Sequence, residues 1–277
     1  MVDQLPVKAS LIISVYKNTA FLKAVLDSLT KQTYQNFEII ISEDGQSPEM
    51  EAFVGGYSFQ HSYHHIQQED LGWRKNKILN QAVRTAKTNW LIFIDGDCVL
   101  HSRFIESHMN QSHPQRILAG KRIILDPETS NLLLENKSTG KEWNAYFLKN
   151  FWKIKKRGGR FVEEGIFIDP NGIWAWISKI RKMRHLKGCN MSFHKDAIHA
   201  INGFDEDFIK PAVGEDADLL WRFSEAGFQL SSVRNQAVQY HLYHKVIWTD
   251  QEENLQLMDG KKARNEFFCI NGLNQKP

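Results

Sequence analysis

Asn89-Trp90-Leu91-Ile92-Phe93-Ile94-Asp95-Gly96-Asp97-Cys98-Val99-Leu100 decides how the rest of the chain is read. Trp90 to Ile94 is apolar throughout, too short for a helix and rich in β-branched and aromatic residues. It predicts a strand covered on both faces. Two carboxylates at the end of such a strand need a reason, because burying unpaired charge is costly. Asp95 and Asp97 stand two residues apart and share one side while the chain stays extended. Gly96 between them would let a ligand approach the backbone. Carboxylates at a strand's carboxyl end suit a hard divalent cation that also holds a diphosphate. A solvated Asp-Gly turn is the plain alternative, and the stretch by itself does not separate the two.

Upstream, Ala9 to Tyr16 predicts a first buried strand. Asn18 predicts the N-cap of a helix carrying Phe21, Leu22, Val25, Leu26 and Leu29 inward. Phe37 to Ser42 predicts a second strand, ending in Glu43-Asp44-Gly45. Strand, helix and strand in succession form a βαβ unit and imply a parallel sheet. Ligands on such sheets bind beyond the carboxyl ends of the strands, so Ser14 to Asn18, Glu43-Asp44 and Asp95-Asp97 would line one crevice. Ser62 to Gln67 offers a short third strand, and Trp73 to Lys87 a helix with Ile78, Leu79, Ala82 and Val83 inward. Arg74, Lys75 and Lys77 at its start oppose the helix dipole. An anionic ligand resolves that conflict better than helix design does, with solvated surface cations as the alternative.

Downstream, His101 to His113 predicts a helix and Arg116 to Leu125 a strand. Asp126 to Lys187 then breaks the α/β rhythm. Residues 137–187 hold 13 Lys and Arg against 4 Asp and Glu, a net of +9, while the whole chain carries only +3. A local surplus of that size points to a partner at one place on the surface. Within it, Trp143, Phe147, Phe151 and Ile154 make a helical apolar stripe near Lys149, Lys153, Lys155, Lys156 and Arg157. The stripe suits either packing on the main body or an acceptor-binding or membrane-surface element. Gly188 to Phe193 returns to strand character. Gly214-Glu215-Asp216-Ala217-Asp218 opens a helix running to Gly227, with capping as the plain role of Glu215 and Asp216. Gln229 to Val233 and Ala237 to Tyr240 are short strands leading into His241-Leu242-Tyr243-His244. His241, nearer the strand end, is preferred over His244 as a third metal ligand beside the aspartate pair. The polar tail from Thr249 predicts an outer helix.

The chain has 277 residues, 42% hydrophobic and 24% charged, ordinary for a soluble globular protein and enough for a sizeable core. No apolar run approaches the ~20 residues of a membrane span. Met1 to Lys8 lacks the basic-then-apolar pattern of a signal peptide. Cys98, Cys189 and Cys269 are too few and too scattered for a disulfide framework or a zinc site. A cytoplasmic, reduced protein is expected, and residues 137–187 are the stretch suited to peripheral contact at the inner face of a membrane.

The ordered motifs Ser14-Val15-Tyr16-Lys17-Asn18, Glu43-Asp44-Gly45, Asp70-Leu71-Gly72-Trp73-Arg74, Asn80, Ile94-Asp95-Gly96-Asp97, Gly188-Cys189-Asn190-Met191-Ser192 and Gly214-Glu215-Asp216 resemble those of family 2 glycosyltransferases. The C-terminal half is similar to bacterial chondroitin-polymerase modules and to β1,4-galactosyltransferases. The resemblance covers roughly residues 9–125 and 186–245. It implies an α/β GT-A fold: a Rossmann-like, mostly parallel central sheet flanked by helices, with a basic, Trp-rich insertion. One domain over 1–277 is expected, with a nucleotide-sugar-binding half (1–125), the insertion (126–187), an acceptor and catalytic half (188–248) and a tail (249–277). The implied activity is inverting, metal-dependent transfer from a UDP-sugar to a glycan or lipid-linked acceptor in surface polysaccharide biosynthesis. Ser14, Tyr16, Glu43 and Asp44 would hold uracil and ribose, and Arg74, Lys77 and Asn80 would lie along the nucleotide. Asp95 would meet ribose and metal, and Asp97 and His241 would complete a Mn²⁺ or Mg²⁺ site. Asp216 would be the catalytic base, with Glu215 on a sugar. The family often has Asp-Asp where Glu43-Asp44 stands, and the galactosyltransferase-like group has a Trp before its Gly-X-Glu-Asp segment where this chain has Ala212-Val213-Gly214. Neither galactose nor N-acetylgalactosamine is therefore singled out.

Two other classes compete. Phosphatases with an aspartyl nucleophile also place Asp-X-Asp after a hydrophobic strand, ordinarily the first one of the chain. A non-catalytic basic module would grip glycan, lipid or nucleic acid through 137–187, but leaves Asp95, Asp97, Asp216 and His241 unexplained. No nucleic-acid partner is expected.

Overall fold

The computed structural model describes residues 8–135, 141–211, 213–245 and 250–274, with the side chains of 141, 142 and 215 outside the description. The strands are β1 (Ala9–Val15), β2 (Phe37–Glu43), β3 (Tyr63–Gln67), β4 (Trp90–Asp95), β5 (Cys98–Leu100), β6 (Arg116–Ala119), β7 (Ile123–Ile124), β8 (Asn190–His194), β9 (Gln229–Ser232) and β10 (Gln239–His241). Seven form one sheet in the order β3-β2-β1-β4-β8-β6-β9, and three form a small second sheet, β5-β10-β7. β1 runs parallel to both β2 and β4, and β2 parallel to β3. Only β8 runs against its neighbours in the large sheet, β4 and β6.

The apolar runs explain why this sheet is covered on both faces. Leu11, Ile13, Ile39, Ile41, Ile92 and Ile94 pack into one core with Leu22, Val25, Leu26 and Leu29 of the helix Thr19–Leu29. The intervening Ile12, Ile40, Leu91 and Phe93 pack into a second core with Leu79, Ala82 and Val83 of the helix Lys75–Thr85. Alternate side chains of each strand therefore enter opposite cores, as the two-residue repeat demands. The chain is an α/β protein with a mostly parallel central sheet flanked by helices.

Several elements differ from the sequence expectation. Arg116 to Leu125 is two strands in different sheets, broken at Gly120. A Cβ on Gly120 would fall 2.4 Å from the Asn190 side chain, so this corner admits only glycine without rearrangement. The Glu215-Asp216 segment does not open an α-helix: Val213–Ala217 is a π-helical turn, and the α-helix follows at Asp218–Glu225. In the basic insertion, Trp143, Phe147 and Ile154 of the helix Lys141–Lys156 are buried, and Phe147 stacks on Tyr240 at 5.2 Å. The apolar stripe thus belongs to the core and does not face an acceptor. The tail helix Glu252–Ala263 brings buried Lys261 to Asp205 (2.8 Å) and Asp207 (2.6 Å), which offsets the charge of the turn Gly203-Phe204-Asp205-Glu206-Asp207-Phe208. Among the described residues no helix is long and apolar enough to cross a membrane.

Candidate active site

β4 delivers Asp95 to the carboxyl end of the sheet, and the chain turns at once into β5. Gly96 N–H donates to the Ser14 carbonyl (2.7 Å), and a Cβ on Gly96 would meet the Val15 side chain at 2.6 Å. Close approach of β1 therefore requires glycine here, rather than a ligand as the sequence suggested. β10 pairs antiparallel with β5, His241 opposite Cys98, and Leu242 N–H donates to the Asp97 carbonyl (2.9 Å). That register places two imidazoles on one carboxylate. Nε2 of His241 lies 3.2 Å and Nε2 of His244 lies 3.1 Å from Oδ2 of Asp97, and the two nitrogens are 3.3 Å apart. Burial opposes ionisation of Asp97, but its hydrogen bonds to His241 and His244 outweigh burial and hold the carboxyl well below the usual range. The hydrogen bond to Asp97 correspondingly raises His244.

This donor set fits a divalent transition metal. Ligands at about 2.1 Å in an octahedron are roughly 3 Å from their cis neighbours, the edge length the three atoms already have. Nδ1 of His244 faces the Lys245 carbonyl at 3.2 Å and donates to it, so a cation displacing the Nε2 proton now shared with Asp97 would meet the Nε2 lone pair. Two nitrogens and one oxygen suit Mn²⁺ better than Mg²⁺, which favours oxygen ligands. Asp95 does not join the histidines. Its two oxygens are taken by Lys75 and Arg122, each at 2.9 Å. Cys98 also lies near both aspartates, but burial pushes its thiol well up and its Sγ–H faces Asp97 (3.2 Å) as a donor.

A cleft of about 720 Å³ opens over these residues, at the carboxyl ends of β1, β2 and β4. Ser14, Tyr16, Asp44, Asp95 and Asp97 line it as the sequence predicted, with Trp73, Lys75 and His244 in addition. Tyr16 is half exposed, and its hydroxyl donates to Asp70 (3.2 Å), which also pairs with Lys17 (2.7 Å). Asp44 accepts from the Arg74 backbone N–H (2.8 Å) and from Gln68 (2.6 Å).

Four predicted donor contacts lie outside the cleft lining. Glu43 is fully buried, paired with His65 (2.9 Å) and accepting from Ser47 N–H (3.0 Å), so it anchors the loop behind the crevice. Asn80 is fully buried and clasps the Phe204 backbone through both ends of its amide (2.8 Å each). Arg74 turns back to the Glu69 carbonyl, and Lys77 is exposed on the helix surface. Sequence spacing could not reveal that the helix presents Lys75 to Asp95, one position from the Arg74 chosen. Arg122 is reached only through the break at Gly120.

His241, 5% exposed, sits behind Asp97 and does not line the cleft. Asp216 does not cap its helix. Its carboxylate accepts from the Gly188 backbone N–H (2.5 Å) and from Lys187 Nζ (3.2 Å). Because Asn190 pairs antiparallel with Ile94, residues 187–188 lie just past the Asp95 end of β4, and Asp216 is held at that end.

Comparison with known proteins adds to this geometry. Residues 10–167 match the glycosyl transferase family 2 profile, and residues 177–245 the profile described as the N-terminal domain of galactosyltransferase. The chain is 25% identical to chondroitin synthase of Escherichia coli over 84% of its own length and 34% of the relative's. It is 29% identical to validoxylamine A glucosyltransferase of Streptomyces hygroscopicus subsp. jinggangensis over 81% of its length and 53% of the relative's. It thus spans about a third of the first of these relatives and about half of the second. Among solved structures it resembles Staphylococcus aureus TarS 1-349 in complex with UDP (TM-score 0.58, 14% identity, covering 97% of this chain and 67% of that one). It also resembles the mannosyltransferase PcManGT from Pyrobaculum calidifontis in complex with GDP-Man and Mn²⁺ (TM-score 0.55, 14% identity, 87% and 58%). With a GT-A fold and a family profile spanning more than half of its length, the chain belongs to glycosyl transferase family 2.

Proposed function

We propose that this glycosyltransferase moves a sugar from a UDP-sugar to a hydroxyl of a glycan or lipid-linked acceptor, with inversion at the anomeric carbon and dependence on Mn²⁺. The observation that carries the proposal is the Asp97–His241–His244 triangle at the cleft beyond the carboxyl ends of the strands. A cation bound by these three side chains would offset, as a Lewis acid, the negative charge that builds on the departing diphosphate oxygen. Lys75, on the cleft wall, and Arg122 hold Asp95 from both sides, which would fix its carboxylate for a ribose and add positive potential where that charge would develop. Ser14, Tyr16 and Asp44 shape the far part of the cleft, where base and ribose would lie.

Asp216 is the proposed base. The acceptor oxygen forms its bond to the anomeric carbon as the bond to the diphosphate oxygen breaks, and the acceptor proton passes to the Asp216 carboxylate. One in-line displacement inverts the centre and needs no covalent intermediate. The Gly188 N–H anchors one carboxylate oxygen and leaves lone pairs for the proton. Glu215, whose side chain lies outside the described residues, is proposed to contact a sugar. A role in surface polysaccharide synthesis is supported by the chondroitin synthase relatives, and a cytoplasmic setting by three free, buried cysteines.

The experiment is a panel of α-linked UDP-sugars incubated with protein and Mn²⁺, with UDP release measured and the first-formed anomer read by proton NMR. One donor should release UDP above the others and give the β anomer. Initial release of the α anomer would exclude single displacement.

A further inference from the structure

A second cavity, of about 880 Å³, lies on the far side of Arg122 from the donor cleft. Among the described residues, seven Lys and Arg side chains line it and no Asp or Glu does. They come from three separate stretches, the β6–β7 corner, residues 180–187 and Arg234, so their convergence is a product of the fold and not of one basic run. Glu164, behind the lining, answers Arg181 (2.8 Å) and also pairs with Arg234. Lys121, Lys182 and Arg184 have no carboxylate partner among the described residues. Like charges gathered in a concave surface repel one another and focus potential, which an oxyanion would relieve.

Two of the lining cations tie this cavity to the chemistry. Arg122 reaches Asp95 at 2.9 Å, and Lys187 reaches Asp216 at 3.2 Å. A molecule seated here is one side chain away from the proposed base, the place an acceptor has to occupy. The rim is apolar on one side. Ile180 both lines the cavity and is 67% exposed, and Ile173, Trp174 and Trp176 beside it are 84%, 60% and 55% exposed. Contiguous exposed apolar side chains mark an interaction surface. Tryptophan and aliphatic groups next to Lys and Arg suit a lipid–water interface that carries negative charge.

We propose that this cavity binds a phosphate group of the acceptor, and that the Ile173–Trp174–Trp176–Ile180 rim rests on the lipid surface that carries it. The acceptor is then a phosphate-bearing glycan anchored in lipid. This rests on glycosyl transfer from the first cleft, and it supplies the substrate class that the donor site leaves open. Guanidinium groups match phosphate oxygens in forked pairs, and the aliphatic and aromatic rim gives the second signal that stable membrane attachment needs.

The test uses the full chain, K182Q/R184Q and W174A/W176A; all four positions are exposed, so the substitutions spare the core. Inorganic diphosphate is titrated in EDTA, which keeps the metal-dependent donor site out of play. Vesicles of phosphatidylcholine, with or without phosphatidate, are tested by flotation. Diphosphate should bind the wild type and W174A/W176A alike, and K182Q/R184Q at least tenfold more weakly. Flotation should need phosphatidate, fall at least tenfold in either variant, and be competed by diphosphate. Equal diphosphate affinity in wild type and K182Q/R184Q would overturn the phosphate site. Vesicle binding that W174A/W176A leaves intact would overturn the rim. Binding of a soluble glucuronate oligosaccharide in place of both probes would assign the cavity to a carboxylate glycan and overturn the proposal. UDP titrated with Mn²⁺ into the same proteins should give unchanged affinity. Loss of UDP binding in the wild type, with diphosphate binding intact, would defeat the donor reading separately.

Discussion

Asp97 carries the site at the scale of single residues, because among the described residues its carboxylate alone meets both imidazoles. Asp97→Asn keeps the volume and removes the charge, so Mn²⁺-dependent UDP binding should fall at least tenfold by calorimetry. His241→Ala and His244→Ala should each weaken it comparably. A loss confined to one would reduce the triangle to a pair. Asp216→Asn should lower kcat by about 10²–10⁴-fold, the usual worth of a general base, with UDP affinity kept. Near-normal turnover would make Asp216 only the anchor of Gly188 and move the base elsewhere. Asp95, Asp97, Asp44 and Ser14 were legible in the sequence, because strand-end position follows from apolar runs alone. Glu43 was not: whether a strand-end carboxylate faces the crevice or folds back on His65 and Ser47 depends on the following loop, which no periodicity encodes. The choice between His241 and His244 likewise dissolved once a three-residue spacing closed both rings on one oxygen.

Short elements decide how these residues meet. β5 and β10 have three residues each, too few for a pattern to show, yet their pairing puts His241 beside Asp97. The longer elements, β1, β2, β4 and the helices behind them, were readable. The conflict of cations at the start of Lys75–Thr85 has a physical answer, since Asp44 accepts the Arg74 N–H and Asp95 pairs with Lys75. Two structural clamps yield stability predictions. Arg222, fully buried, pairs with buried Asp218 (2.7 Å) and donates to the Ile201 and Gly203 carbonyls. Arg222→Ala strands that carboxylate and should cost about 3–5 kcal/mol in denaturant unfolding. His108, fully buried, joins the helix Phe104–Asn110 to β8 through Ser192 (2.8 Å) and Asn190 (3.1 Å), groups without charge. Burial pushes its imidazole down to about 4 from 6.5. The unfolded chain therefore binds the extra proton first, and stability is full above pH 6.5 and falls as pH drops toward 4. One such group is worth about 3 kcal/mol across that window. His108→Gln should flatten unfolding free energy against pH there, and an unchanged slope would assign acid sensitivity to other groups.

Over the whole molecule, the alternation of strand side chains between two cores explains why a doubly covered sheet could be read from three apolar runs. The same sheet puts the carboxylates of Asp44 and Asp95 at one edge, which is why a crevice there was legible before any side-chain geometry. The antiparallel insertion of β8 was not, because its sequence looks like any other buried strand. It is nevertheless what carries Gly188, and with it Asp216, to the Asp95 end of the sheet. The basic insertion was legible as charge but not as shape. Its aromatic stripe closes the core, and Arg181, Lys182, Arg184 and Lys187 gather with Lys121, Arg122 and Arg234 from elsewhere. The central claim is a metal-bridged diphosphate site on Asp97, His241 and His244, and calorimetric titration of UDP tests it most directly. UDP should bind with Mn²⁺ present and at least tenfold more weakly in EDTA; equal affinity in the two conditions would contradict it.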